Sequence, residues 1–188
     1  MADSILVQAY ENWTEITLSR PGRLNSLNDE THLAPLRAIE EAQGRRARAI
    51  LLTGAGRGNC AGQDLGNRDP SMATIGHASR HLPRLLGEAR AKGLAFTAQQ
   101  AEDRGLVWKG VPDEMLMTEA RAMTESFANG PTLGLGLSKE AIQAAAKDTL
   151  DDHLDLEVEY MKTCGESTGN SEVVSAFLQK RAPAFKGK

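Results

Sequence analysis

Arg57-Gly58-Asn59-Cys60-Ala61-Gly62-Gln63-Asp64-Leu65 is the stretch on which the fold of this chain turns. It follows Ala49-Ile50-Leu51-Leu52-Thr53, a short apolar run that predicts a buried strand, and the turn Gly54-Ala55-Gly56. With Gly58, these glycines fall at alternate positions, which lets the backbone approach a ligand closely and turn its N–H groups outward. The spacing excludes two familiar phosphate loops. A dinucleotide fingerprint needs a helix opening directly behind its glycines, and a Walker loop needs Gly-Lys-Ser/Thr. Neither follows here.

A second stretch, Ser19-Arg20-Pro21-Gly22-Arg23-Leu24-Asn25-Ser26-Leu27, stands upstream. Together with Gly58 to Leu65 it resembles the crotonase (enoyl-CoA hydratase/isomerase) superfamily, and the resemblance spans residues 4–68 and 82–188. Within that superfamily, Cys60-Ala61-Gly62-Gln63-Asp64-Leu65 and the ending Phe177 to Lys188 are most similar to the phenylacetate-degradation isomerases. Those enzymes convert a ring epoxide of phenylacetyl-CoA to an oxepin. The resemblance implies an α/β fold, with a crotonase-like ββα spiral core over residues 1–81 and a helical C-terminal region over 82–188. It also implies a homotrimer or dimer of trimers, with the C-terminal helices packed between subunits. The substrate would be an acyl-CoA, with no metal and no cofactor beyond the coenzyme A of the substrate itself.

Composition sets bounds that agree with this. The chain has 188 residues, 40% hydrophobic and 25% charged, enough for one domain with a real core. A net charge of -3 gives no general attraction to nucleic acid or to an anionic membrane, so an anionic ligand needs a local cluster of basic residues. Cys60 and Cys164 lie far apart and suggest no disulfide framework. No apolar run reaches membrane length and no leader is visible, so a cytoplasmic location is expected.

Ile5-Leu6-Val7 and Trp13 to Leu18 predict a half-buried hairpin, since Trp13, Glu15 and Thr17 alternate with Thr14, Ile16 and Leu18. Asn28 begins a helix whose stripe of Leu33, Leu36 and Ile39 runs to about Gln43. Pro35 either kinks this helix or restarts it. Further helices are expected at 82–92, 99–104, 113–129, 137–147, 150–164 and 171–181, with a short strand at Leu106-Val107-Trp108. In the helix at 113–129, Leu116, Ala120, Met123 and Phe127 share one face. Strands first and helices later fit a layered α/β core, and no repeat period appears.

The chemistry of the resembled family places a thioester oxygen between two backbone N–H donors, each worth roughly 3–4 kcal/mol as charge develops. One donor is the residue after the glycine of Ala-Gly-x-Asp, which is Gln63. The family's other donor lies in an Asn-Gly-x-Ala-x-Gly segment, and the isomerases' acid/base Asp lies in Pro-Asp-x-Gly-Gly. Neither segment occurs between Arg68 and Leu82, where relatives run on for several dozen residues. Asp69 before Pro70 reads as a turn residue rather than a substitute base, and Glu88 and Glu102 read as solvated helix residues. His77 and His81 share a helical spacing but have no third ligand, and His32 and His153 are lone helix residues.

For coenzyme A, the resemblance implies contacts from Arg23, Leu24, Ala61, Asp64 and Leu65. It also implies Phe177 and Lys180, one helical turn apart and facing the same way, near the nucleotide of a neighbouring subunit, with Arg181 beside them. An arginine suits phosphate because its planar fork grips two oxygens. Cys60 has no paired base and reads as a packing residue. An enoyl-CoA hydratase is the alternative enzyme. A shortened, non-catalytic paralogue that binds CoA or only oligomerises is the alternative outside enzymes. The missing segments favour the paralogue, while the cost of exposing a core by removing central strands argues against it.

Overall fold

The computed structural model describes residues 4–62, 64 and 97–187. Two compact units divide the chain: residues 1–62 with 121–188, and residues 63–120. The first unit opens with β1 (Ile5–Ala9), β2 (Trp13–Leu18), a 3-10 turn (Pro21–Arg23), α1 (Asp29–Gly44) and β3 (Ala49–Gly54). The second contains α2 (Ala98–Asp103) and the start of α3 (Asp113–Asn129). The chain then runs through α4 (Thr132–Ala144), α5 (Leu150–Gly165) and α6 (Thr168–Leu178) in the first unit.

β2 is the middle strand, antiparallel to β1 and parallel to β3. The register pairs Val7 with Ile16, and Ile16 with Leu52. A middle strand is covered more fully than the predicted half-buried hairpin allows: Trp13, Thr14, Glu15, Ile16 and Leu18 are all buried. Ile16 is fully enclosed, at 0% exposure, and is the largest apolar side chain so buried among the described residues. The alternation is therefore overridden by position in the sheet, because neighbours lie on both faces.

Glu15 is the polar member of this strand, with a side chain only 7% exposed. Arg121 on α3 answers it with two N–H groups, Nε to Oε2 at 2.8 Å and Nη2 to Oε1 at 3.0 Å. The hydrogen bond and the charge of Glu15 together raise the pKa of the Arg121 guanidinium. Asn12 Nδ2 donates to Asn129 Oδ1 at 2.7 Å, so the same helix is tied near the start of β2 as well.

α1 resolves the proline question: one helix carries Pro35 inside it. Its start is set by a capping box, with the Asn28 side chain accepting from the Thr31 N–H and the Thr31 hydroxyl oxygen accepting from the Asn28 N–H. The expected core stripe is corrected. Leu33 and Leu36 are exposed, while Thr31, Ala38 and Ala42 are buried. In α3, likewise, Leu116, Met123 and Phe127 are exposed, while Thr124 and Ala128 are buried. Small side chains allow the close approach that long ones would prevent, so they take the inward face.

Three elements shift against expectation, and one is α4, which runs over Thr132–Ala144 rather than 137–147. Leu106–Trp108 form no strand, because the N–H groups of Leu106 and Val107 both return to the Ala101 carbonyl at the end of α2. α6 begins at Thr168 rather than Ser171, because Ser167 caps it by accepting from the Asn170 N–H at 3.1 Å. The expected helix at 82–92 lies outside the described residues.

The C-terminal tail folds back over this unit. Arg48 donates to the Phe185 carbonyl at 2.7 Å and to the Gly130 carbonyl at 2.6 Å. Glu172 accepts from Arg181 and from the Ala184 N–H, and these bonds hold its carboxyl pKa down at about 2. A depressed acid contributes stability above its unfolded pKa and loses it as pH falls through the folded one. The tail clasp is therefore expected to hold above about pH 4.5 and to loosen progressively down to about 2. Protection of the amides of residues 184–187, measured against their intrinsic exchange rates, should fall in that window, and Glu172→Gln should remove the dependence.

Candidate functional site

The two motif stretches meet in one place. After the 3-10 turn, Leu24 and Asn25 adopt left-handed backbone, with φ of 49° and 56°. Two successive non-glycine residues in that region are costly, on the order of 1–2 kcal/mol each, and need surrounding contacts to hold them. The Asn25 N–H donates to the Arg20 carbonyl at 2.9 Å, and Arg20 Nη1 donates to the Ser26 carbonyl at 2.6 Å. Across the gap, the Ala61 N–H donates to the Leu24 carbonyl at 2.9 Å, and the Leu27 N–H donates to the Gly62 carbonyl at 2.8 Å. Asn25, only 1% exposed, reaches the glycine turn directly. Its Nδ2 donates to the carbonyls of Ala55 at 2.9 Å and Gly58 at 2.6 Å, and its Oδ1 accepts from the Arg20 N–H at 2.8 Å.

Between the stretches lies a cleft of about 230 Å³ lined by Leu24, Arg57, Gly58, Asn59, Cys60 and Ala61. Drug-sized ligands occupy roughly 300–1,000 Å³, so this cleft suits one segment of a long ligand rather than all of it. Larger cavities lie between α4 and α5, about 470 Å³, and beside the tail, about 300 Å³. Neither is lined by a residue of the two motif stretches.

Of the residues singled out in the sequence, Leu24 and Ala61 line the same cleft and are joined by their backbone bond, Cys60 is exposed beside them, and Arg23 is exposed on the adjoining turn. Asp64 belongs to the second unit and is half-buried. Gln63, Leu65, Asp69, His77, His81 and Glu88 lie outside the described residues, as does the side chain of His32. Glu102 accepts from the Gly110 N–H at 3.1 Å, a local tie. His153 stands 3.5 Å from Asp148 and 3.6 Å from Glu157. Among the described residues, no three His, Cys, Asp or Glu side chains gather as metal ligands.

At the far end of the chain one expectation is corrected. Phe177 is 81% exposed on α6, but Lys180 does not sit one helical turn along the same face. α6 ends at Leu178, and Lys180 is left-handed at φ 53°. The reason is a Schellman cap: the Lys180 N–H donates to the Phe177 carbonyl and the Arg181 N–H to the Ala176 carbonyl. α1 and α2 close identically, with Arg46 at φ 62° and Gly105 at φ 70° in the same position. Arg181 turns away to pair with Glu172.

Sequence reasoning missed Asn25, Arg57 and Asn59. A signal existed for Asn25, an asparagine between Leu24 and Ser26 in a proline- and glycine-led turn, since Asn tolerates left-handed backbone better than most residues.

A family model for enoyl-CoA hydratase/isomerase matches residues 70–188. The 1,2-epoxyphenylacetyl-CoA isomerase of Escherichia coli K12 is 34% identical over 262 positions, covering 100% of both chains. This chain belongs to the enoyl-CoA hydratase/isomerase family. A probable enoyl-CoA hydratase of Rhodobacter capsulatus is 29% identical, with 98% of each chain covered. The crystal structure of an enoyl-CoA hydratase subunit from Geobacillus kaustophilus superposes with a TM-score of 0.87 at 25% identity, covering 99% of each chain. The crotonase-like α/β fold follows from these likenesses. An alignment of 262 positions against 188 residues leaves at least 74 positions of the E. coli enzyme without a counterpart here. Among the described residues, no helix is long and apolar enough to cross a membrane.

Proposed function

We propose that this member of the family is an acyl-CoA isomerase of phenylacetate degradation, converting ring-1,2-epoxyphenylacetyl-CoA to oxepin-CoA in the cytoplasm. The observation that carries this is the 34% identity, across the whole chain, to a 1,2-epoxyphenylacetyl-CoA isomerase. In this proposal the Gln63 backbone N–H holds the thioester oxygen. Arg23, Leu24, Ala61, Asp64 and Leu65 receive the pantetheine arm and its phosphates. Phe177 and Lys180 meet the nucleotide across a subunit boundary in a homotrimer or dimer of trimers, and no cofactor is needed beyond the substrate's own CoA. The exposed Leu24–Ala61 cleft, flanked by Arg23 and Arg57, supports a ligand that is apolar along its arm and anionic at its ends.

A second proposal, a CoA-binding protein without turnover, is favoured by one observation. The sequence contains no Asn-Gly-x-Ala-x-Gly or Pro-Asp-x-Gly-Gly segment, so it offers neither the second oxyanion donor nor the family's acid/base. One donor of roughly 3–4 kcal/mol is too little for an enzymatic rate without a proton carrier. Incubation with the ring-epoxide thioester and detection of the oxepin separates the two. Product formed in proportion to protein supports the isomerase. Binding without product supports the second proposal, and hydration of crotonyl-CoA instead would assign the chain to the hydratases.

Lys180 gives a test with two signs. Glycine at a left-handed position relieves strain, so Lys180→Gly is expected to stabilise the fold by about 1 kcal/mol. It should weaken acetyl-CoA binding by removing the ammonium. A raised melting temperature with unchanged affinity would remove Lys180 from the ligand contacts.

A further inference from the structure

We infer that Asn25 is a positioning residue for the ligand cleft: its side chain sets the distance between the two walls without touching the ligand. The inference rests on the acyl-CoA reading above. One wall of the cleft is Leu24, next to Asn25 in the chain, and the opposite wall runs from Arg57 to Ala61. Asn25 holds the first through the Arg20 N–H, accepted at 2.8 Å, and the second through the Gly58 carbonyl, reached at 2.6 Å. The bond to the Ala55 carbonyl at 2.9 Å anchors it to the turn that closes β3.

The residue type follows from the bonds. Both Nδ2 hydrogens are spent on carbonyls and Oδ1 on an N–H, a pattern that a primary amide supplies. Aspartate has the same shape but no donor, and would set its charge against two carbonyl oxygens. The left-handed φ of 56° adds a second requirement that Asn meets better than most residues. The wall-to-wall bond from the Ala61 N–H to the Leu24 carbonyl then falls into register. Near-complete burial keeps Asn25 out of the cleft, whose lining is Leu24 and Arg57 to Ala61. Its effect on a ligand therefore passes through those walls.

The experiment is calorimetric titration of acetyl-CoA into the full chain and into Asn25→Gly and Asn25→Asp. Glycine keeps the left-handed turn and removes the ties, and aspartate keeps the shape and removes the donors. For the folded fraction, both are expected to lose at least tenfold in affinity. A role in stability alone would lower the melting temperature yet leave the folded fraction at the wild-type Kd, and that result would overturn the inference. Should neither variant fold, the wild-type side-chain amide resonance of Asn25 decides. It is expected to exchange slowly and to shift with the Ala61 amide on saturation with acetyl-CoA, and an unmoved pair would overturn the inference. If wild type does not bind acetyl-CoA at all, the acyl-CoA reading fails first.

Discussion

Gly54→Ala is expected to destabilise the protein by about 3 kcal/mol, at the upper end of overpacking costs, and to abolish the cleft with it. A Cβ at this position would collide with the Asn59 carbonyl oxygen, and would stand 2.7 Å from the Asn59 Cα and 2.7 Å from Asn25 Nδ2. Two of those atoms are backbone, and the third belongs to a buried amide held by three hydrogen bonds, so none can rotate aside. Relief requires the loop carrying Asn59, Cys60 and Ala61 to move outward, away from Leu24. Gly58→Ala is the control. Its Cβ would meet only Leu24 Cδ2 at 3.8 Å, an ordinary contact, so urea denaturation should show a change within about 0.5 kcal/mol. Similar midpoints for both variants would contradict the packing described around Asn25.

Arg23→Ala is expected to reduce acetyl-CoA affinity by roughly tenfold to a hundredfold, the range of a lost hydrogen bond to a charged group. Stability should change little, because the Arg23 side chain is exposed on the 3-10 turn. The wild-type affinity should fall as salt is added, and the variant's should fall less, since one cation no longer faces the phosphates. Calorimetry at two salt concentrations reads both effects. Equal salt dependence in the two proteins would place the phosphates elsewhere.

Much of the fold was legible where local chemistry alone decides it. The bounds of α3 follow from acids at its start and Asn129-Gly130-Pro131 at its end, and β2 from its β-branched alternation. Burial was not legible. Leu33 and Leu116 look like core residues, and Ala38, Ala42 and Ala128 look neutral, yet the structure reverses them because the helices approach their neighbours through small side chains. The end of α6 was missed for a different reason. A lysine occupies the left-handed position where α2 uses glycine, so no punctuating residue marks the stop.

The site was legible through its wording rather than its physics. The resemblance alone named Leu24 and Ala61 as contacts of one ligand; both line the cleft of about 230 Å³. The bonds that bring them together run from Asn25 to residues about 30 positions away, and no periodicity announces such a pairing. The ion pair of Glu15 with Arg121, separated by 106 positions, was hidden in the same way. Both buried polar groups read as ordinary turn or strand residues until their partners are located.

Whether the Leu24–Ala61 cleft receives an acyl-CoA is decided by calorimetric titration of the purified chain with phenylacetyl-CoA. The expected result is saturable binding of one ligand per chain, with Kd in the micromolar range, about -8 kcal/mol, and loss of that heat in Gly54→Ala. Absence of binding heat at millimolar ligand, from a chain that melts cooperatively, would contradict it.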